Sequence, residues 1–379
     1  MTTSEVTTPE PEWAYDGTGR ERTPWWMRLG AGLLVAIVLG VSLAAVWPVS
    51  YAILEPGPIT NVLGTVDGGE HKGDPVLKPS GDTYYPAQGA LFFTTVREIG
   101  TPTAKPSALE VFKGWLDSTL AVVPMGELYP EGVPQQQVDD ENVALMDSSQ
   151  QVATAVAERA AGFPVTPRIV IQAFPENAPN KDVLKVGDEF VKIGDTSVST
   201  LAELTAAIRS HPAGQPLSAV VARGGARVPV TLKTAAKDGR TTVGVLLGLT
   251  YDFRVKVAVN VGNVSGPSAG LMLSLGIYDV LTPKDLTGDN QIAGTGTMSD
   301  DGTVGPIGGI AQKLVGARIG GARYFLAPKD NCDEVVGHIP DGLTVFAVST
   351  FDEAKNAVEA IANKSTQSLP TCAGTPPAT

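Results

Sequence analysis

Two residues in the C-terminal third of the chain could carry out hydrolysis together. Ser268 lies in Val264-Ser265-Gly266-Pro267-Ser268-Ala269-Gly270, between an alternating run at 254–263 and an apolar run at 271–281. That order predicts a strand, a sharp Gly/Pro turn and a buried helix, with Ser268 at the helix N-terminus. Unpaired amides and the macrodipole favour negative charge there, which suits an oxyanion. Glycine on either side lets a substrate backbone approach closely. The same pattern is also satisfied by Ser265 or Ser268 acting only as a helix cap. Lys313 follows Gly308-Gly309 on a predicted helix from about Ile310, on or beside the face of Ile310, Leu314 and Ala317. Desolvation there would lower its pKa from about 10.4 towards 7, roughly 4 to 5 kcal/mol of differential solvation, as a general-base lysine requires. A surface lysine with a snorkelling stem is the other reading. A Ser-Lys pair needs no histidine.

Rival chemistries fit less well. Gly266-x-Ser268-x-Gly270 also matches the nucleophile elbow of α/β-hydrolases. That fold needs an acid and then a histidine downstream, and only His338 follows. The penicillin-binding type of Ser-Lys hydrolase needs Ser-x-x-Lys, which does not occur. Three histidines (His71, His211, His338) and two cysteines (Cys332, Cys372) show no ligand spacing, so neither a metal nor any other cofactor is expected. A net charge of −12 with no basic run opposes nucleic-acid binding.

The elements that must position these residues form a chain of 379 residues, 43% hydrophobic and 18% charged, long enough for two ordinary domains. Residues 29–54 carry no charge. A helix over 29–47 would reach about 28 Å against a hydrocarbon core of roughly 30 Å. Trp25, Trp26 and Trp47 flank it, Arg20, Arg22 and Arg28 precede it, and the next basic residue is Lys72. The positive-inside rule then puts the N-terminus in the cytoplasm and the remainder outside the cytoplasmic membrane, on a single-pass anchor. A cleaved signal peptide is the alternative. In an oxidising exterior, Cys332 and Cys372 are expected to form a disulfide. Residues 1–28 and 364–379 have too little apolar content to pack and are expected to be disordered and flexible.

Short β-type runs at 168–171, 189–193, 218–221 and 228–232, with one helix at 201–210, make a β-rich region. With Ala178-Pro179, Leu184-Lys185-Val186-Gly187-Asp188 and Ile193-Gly194-Asp195, residues 163–235 resemble the PDZ domains attached to bacterial proteases. That resemblance implies strand addition of an extended peptide, with Gly162 and Phe163 as the candidate carboxylate loop and Ile169 and Ile171 on the receiving strand.

Residues 266–270, 295–313 and 321–331 together resemble the proteolytic domain of the Lon family, and the whole chain resembles membrane-anchored, PDZ-containing Lon-like proteases. The resemblance implies an α+β fold: a transmembrane helix at 29–49, an N-terminal part of the Lon-like fold at 50–162, the PDZ insertion at 163–235 and the proteolytic domain at 236–363. It implies a catalytic dyad of Ser268 and Lys313 in a serine endopeptidase, with Thr295 holding the lysine. Amides at Gly266 and Ala269 are the expected oxyanion donors. The chain departs from the family pattern at Ser265, where an acid is common, and at Thr297, where a Glu follows Thr-Gly. No Gly-x-x-x-x-Gly-Lys-Ser/Thr occurs, so cleavage without ATP of unfolded or extended polypeptides is expected, in a possible homo-oligomer. A PDZ scaffold carrying an inactive Lon-like domain is the competing expectation.

Overall fold

The computed structural model describes residues 25–66, 72–80, 85, 88–175, 177–237, 239–262 and 264–372. The segments expected to be disordered at 1–24 and 373–379 lie outside the described residues. The chain divides into two compact units, Met1–Glu55 with Glu98–Gln135, and Pro56–Arg97 with Gln136–Thr379.

The first unit contains the helix Trp25–Val46, 22 residues without one buried side chain. It starts four residues earlier than the apolar run suggests, which brings both Trp25 and Trp26 into its first turn. At 1.5 Å per residue it is about 33 Å long, enough to span a bilayer core. A second helix, Ala108–Leu116, begins in a full capping box between Ser107 and Glu110, which satisfies end amides that have no intrahelical partner. Its Val111 and Gly114 face inward, and a Cβ on Gly114 would meet Val122 and Ile53. Residues 51–54 pair antiparallel with Ala121–Pro124. Residues up to Glu55 and Glu98–Gln135 thus fall in one compact unit with the apolar helix.

The second unit is built on parallel strands in the order Thr344–Val348, Tyr324–Pro328, Gln291–Gly294 and the 90–97 portion of the next strand. Alternate residues serve two different cores, as the period of two in a strand requires. Leu91, Phe93, Ile292, Leu326, Phe346 and Val348 join Leu271, Met272 and Leu275 of the helix Gly270–Leu281. Ala293, Phe325, Ala327, Val345 and Ala347 join Ile310, Leu314 and Ala317 of the helix Ile310–Ile319. The helix behind Ser268 and the helix carrying Lys313 thus lie on opposite faces of one sheet. The helix Gln135–Ala160 adds Met146, Ala153, Val156 and Ala157 to the first core. Val143, on the apolar face by its spacing, is exposed.

The β-rich region has its own core, centred on Ile169, Ile171, Leu184, Phe190, Leu204 and Val221. Its sheet runs Leu246–Tyr251, Pro167–Ala173, Glu189–Ile193, Leu217–Arg223, Ala226–Leu232, and the helix Leu201–Ser210 packs on it. The sheet of this region continues past residue 235. Leu246–Tyr251 pairs along the whole of Pro167–Ala173, and Leu247 and Leu249 pack against the region's core.

The C-terminal segment is also corrected from its expected flexibility as far as it is described. Residues 364–372 include a short 3-10 turn at Thr366–Ser368, the Pro370 carbonyl accepts a hydrogen bond from Ala347 N, and Cys372 is buried and bonded to Cys332 across 40 residues. Closing a loop of that length is worth up to about 4 kcal/mol by the chain-entropy account. Cys372→Ser is expected to lower the denaturation midpoint of the oxidised protein to that of the reduced wild type. Equal midpoints for oxidised wild type and variant would show that the bridge contributes nothing.

Candidate functional site

Gly266 sets the turn before the serine. Its φ of 84° and ψ of 159° belong to glycine alone, and Pro267 then starts a 3-10 turn that continues into Gly270–Leu281. Gly270 serves a different purpose from the close substrate approach its position suggests. A Cβ there would lie 2.9 Å from Ser149 Oγ and 3.0 Å from Met298 N, so its absence lets the helix pack.

Lys313 sits in the first turn of Ile310–Ile319 and is 3% exposed. Burial alone lowers its pKa, to about 8. Nζ donates to Thr295 Oγ1 at 3.2 Å, and Thr295 Oγ1 donates to the Ser268 carbonyl at 3.1 Å. Thr295 directly follows the strand Gln291–Gly294 and is fully buried. The two helices on opposite faces therefore meet past the strand's C-terminal end, through one hydroxyl. Ser268, Ala269 and Lys313 line a single cleft of about 450 Å³, with Ser265, Val264 and residues 93–97.

The hydroxyl's direction matters chemically. Its one proton is committed to the Ser268 carbonyl, so it can only accept from Nζ. A neutral amine has two N–H groups and one lone pair, and Thr295 leaves that lone pair for another proton.

Several positions were not singled out by sequence reasoning. Ser149 Oγ donates to the Pro267 carbonyl at 3.1 Å, and Gly296 N donates to the Ser268 carbonyl at 2.9 Å. Asn331 is buried and clasps Ile307 through both backbone groups, each at 2.9 Å, fixing the loop before Gly308. Polar side chains beside the motifs were the available signal, but their partners lie far away in sequence.

One expectation fails on geometry. The Gly266 amide donates to the Asn142 carbonyl at 2.9 Å, so it is not available to an oxyanion. Ala269 lines the cleft, and so does Ser268. The residues expected to take up a peptide have other partners as well. The amides of Gly162 and Phe163 donate to Arg159 and Glu158 carbonyls, Ile169 and Ile171 are core residues, and Leu246–Tyr251 occupies the strand edge that a peptide would need. Phe163 instead stacks under the Arg254 guanidinium, 4.8 Å from the ring centre.

Residues 237–360 match the family model of the Lon protease (S16) C-terminal proteolytic domain. Lon protease 2 of Bacillus subtilis is 35% identical over 107 residues, which is 28% of this chain and 18% of that protein. The Lon protease of Azospirillum brasilense is 39% identical over 106 residues, 27% of this chain and 13% of that protein. The chain thus spans less than a fifth of the length of these curated relatives. The PDZ domain of the SdrC-like protein from Listeria monocytogenes aligns over 21% of this chain and 85% of its own, at 22% identity and a TM-score of 0.20.

The burial of Lys313 makes a stability prediction. Its pKa is about 8 folded against 10.5 in the open chain, so below pH 8 both states are protonated and the folded state carries the full desolvation penalty. Between 8 and 10.5 only the unfolded state stays protonated, and stability rises with pH. Lys313→Met should therefore be more stable than wild type at pH 7, by up to about 3 kcal/mol, with the gap closing by pH 10.5. Denaturant melts at pH 7, 8.5 and 10 measure this, and a gap independent of pH would contradict the assignment.

Proposed function

We propose that the Lon-type proteolytic domain of this chain is an ATP-independent serine endopeptidase in which Ser268 is the nucleophile and Lys313 the general base. The observation that carries the reading is the shared cleft of Ser268 and a buried Lys313 whose amine is held from one side by Thr295. A pKa of about 8 leaves a useful fraction of neutral amine near neutral pH.

Ser268 Oγ adds to the scissile carbonyl carbon while Lys313 Nζ takes the hydroxyl proton. The carbonyl oxygen becomes an oxyanion at the N-terminus of a helix, facing the amides of Ser268 and Ala269. Collapse of that intermediate breaks the C–N bond, and the lysine ammonium gives its proton to the departing amine. Water, deprotonated by the again neutral Lys313, then hydrolyses the acyl-enzyme. Polypeptides that are already unfolded or extended are the substrates this cleft admits, because nothing in the proposed cycle supplies work for unfolding. The helix Trp25–Val46 is read as a single-pass anchor with its N-terminal side in the cytoplasm and the catalytic domain on the outer face, where the Cys332–Cys372 bridge is stable.

The test follows peptide release from an unfolded protein by the full chain in ATP-free buffer. Ser268→Ala and Lys313→Ala should each lower kcat/KM by roughly 10³ or more. In the wild type, kcat/KM should rise with pH through about 8. Unchanged cleavage in either variant would sink the dyad. Thr295→Val should lower kcat by roughly tenfold to a hundredfold, since a displaced base loses its attack geometry, and Thr295→Ser should restore most of it. Full activity in the valine variant would remove the hydroxyl from the mechanism.

A further inference from the structure

The first unit presents an apolar face that its own fold does not cover. On the helix Ala108–Leu116, Phe112, Trp115 and Leu116 are 53%, 62% and 73% exposed. Their spacing of three and four puts them on one side, next to the inward-facing Val111 and Gly114 and away from Glu110 and Lys113. Tyr51 meets Trp115 edge to face at 6.0 Å, extending the aromatic surface. Three side chains on a nine-residue helix are too small a patch for a stable contact between copies, which needs roughly 1,200 Å² or more.

What covers this face is indicated by what it is stitched to. Ala108 N donates to the carbonyl of Trp47 at 2.8 Å, Val49 N donates to Pro106 O at 3.0 Å, and Pro48 bridges to Ser107. The start of the helix is thus hydrogen-bonded to the first residue after Trp25–Val46. If that helix spans, Trp47 stands at the edge of the hydrocarbon, and Ala108–Leu116, about 14 Å long, stays within reach of the same boundary. Aromatic rings, that of Trp115 with a polar edge, and a leucine are side chains that favour this depth.

We propose that Phe112, Trp115 and Leu116 form an interfacial foot, embedded in the bilayer surface on the side where the apolar helix emerges. The inference rests on the reading of Trp25–Val46 as a membrane span. The foot would hold the first unit against the lipid at a fixed depth, which a single span joined by a free linker would not do.

The test uses the full chain in liposomes of phosphatidylcholine and phosphatidylglycerol. Both native cysteines are joined in the disulfide, so a nitroxide can be placed on one added cysteine: Phe112→Cys, Leu116→Cys, Lys113→Cys as the water-facing control, or Leu34→Cys within the span. Accessibility to oxygen and to a water-soluble nickel chelate is read by power saturation. Labels at 112 and 116 should be open to oxygen and roughly tenfold less accessible to nickel than the label at 113. Equal nickel accessibility at 112, 113 and 116, with 34 shielded, overturns the foot and leaves the anchor intact. Shielding of 112 and 116 from both reagents shows a protein partner and also overturns it. A label at 34 open to nickel fails the anchor itself, and the foot with it.

Discussion

The site depends on a single hydroxyl at the end of a strand. The helix that presents Ser268 and the helix that carries Lys313 pack on opposite faces of the same sheet, so they cannot touch through it. They can meet only where Gln291–Gly294 stops, and there Thr295 joins the lysine amine to the serine backbone. A buried amine without a partner would cost about 1 to 3 kcal/mol in lost hydrogen bonding. One acceptor offsets part of that cost while leaving the lone pair unoccupied. A carboxylate in the same place would hold the ammonium form and raise the pKa, which would remove the base. Burial lowers the Lys313 pKa, to about 8, and this is the electrostatic setting a neutral base needs.

The serine turn, the lysine helix and the long apolar helix were legible because each is a local pattern. Gly-Pro-Ser before an apolar run specifies a turn and a helix start. Ile310, Leu314 and Ala317 specify a buried face, and Lys313 is buried beside them. A run without charge from Leu29 to Leu54 needs no partner to declare a helix. What was not legible depends on pairing. Leu246–Tyr251 shows no alternation, so nothing local says that it lies along Pro167–Ala173 and fills the edge where a peptide was expected. The Gly266 amide looked free because its acceptor, the Asn142 carbonyl, belongs to a helix more than a hundred residues earlier. Residues 98–135 carry no local sign that they belong to one compact unit with the apolar helix.

The insertion of the β-rich region is also a matter of pairing. The helix Gln135–Ala160 leads into it, and the chain returns at Tyr251, which pairs with Pro167 near the start. Departure and return are thus adjacent, as an inserted domain requires if the host fold is to close without strain. The junction is held by a fully buried carboxylate: Glu158 accepts from the amides of Val255 at 2.7 Å and Arg254 at 3.1 Å. A buried charge is tolerated when such donors surround it, so Glu158 ties the returning segment to the end of the long helix.

That same helix touches the serine turn twice. Ser149 Oγ holds the Pro267 carbonyl, and the Asn142 carbonyl holds the Gly266 amide. Between Val255 and Gly266 the chain makes the short ribbon of Lys256–Val259 with Leu77–Ser80, and Asn260 bonds to the Val76 and Pro75 carbonyls. The position of Ser268 is therefore referred both to this helix, which also receives the inserted region, and to Thr295 and Gly296 at the strand end, which hold its carbonyl. Displacing the long helix would pull the serine turn through Asn142 and Ser149 against the hold of Thr295 and Gly296 on the Ser268 carbonyl. The placing of Ser268 relative to Lys313 therefore depends on the helix before the insertion as well as on the end of the central strand.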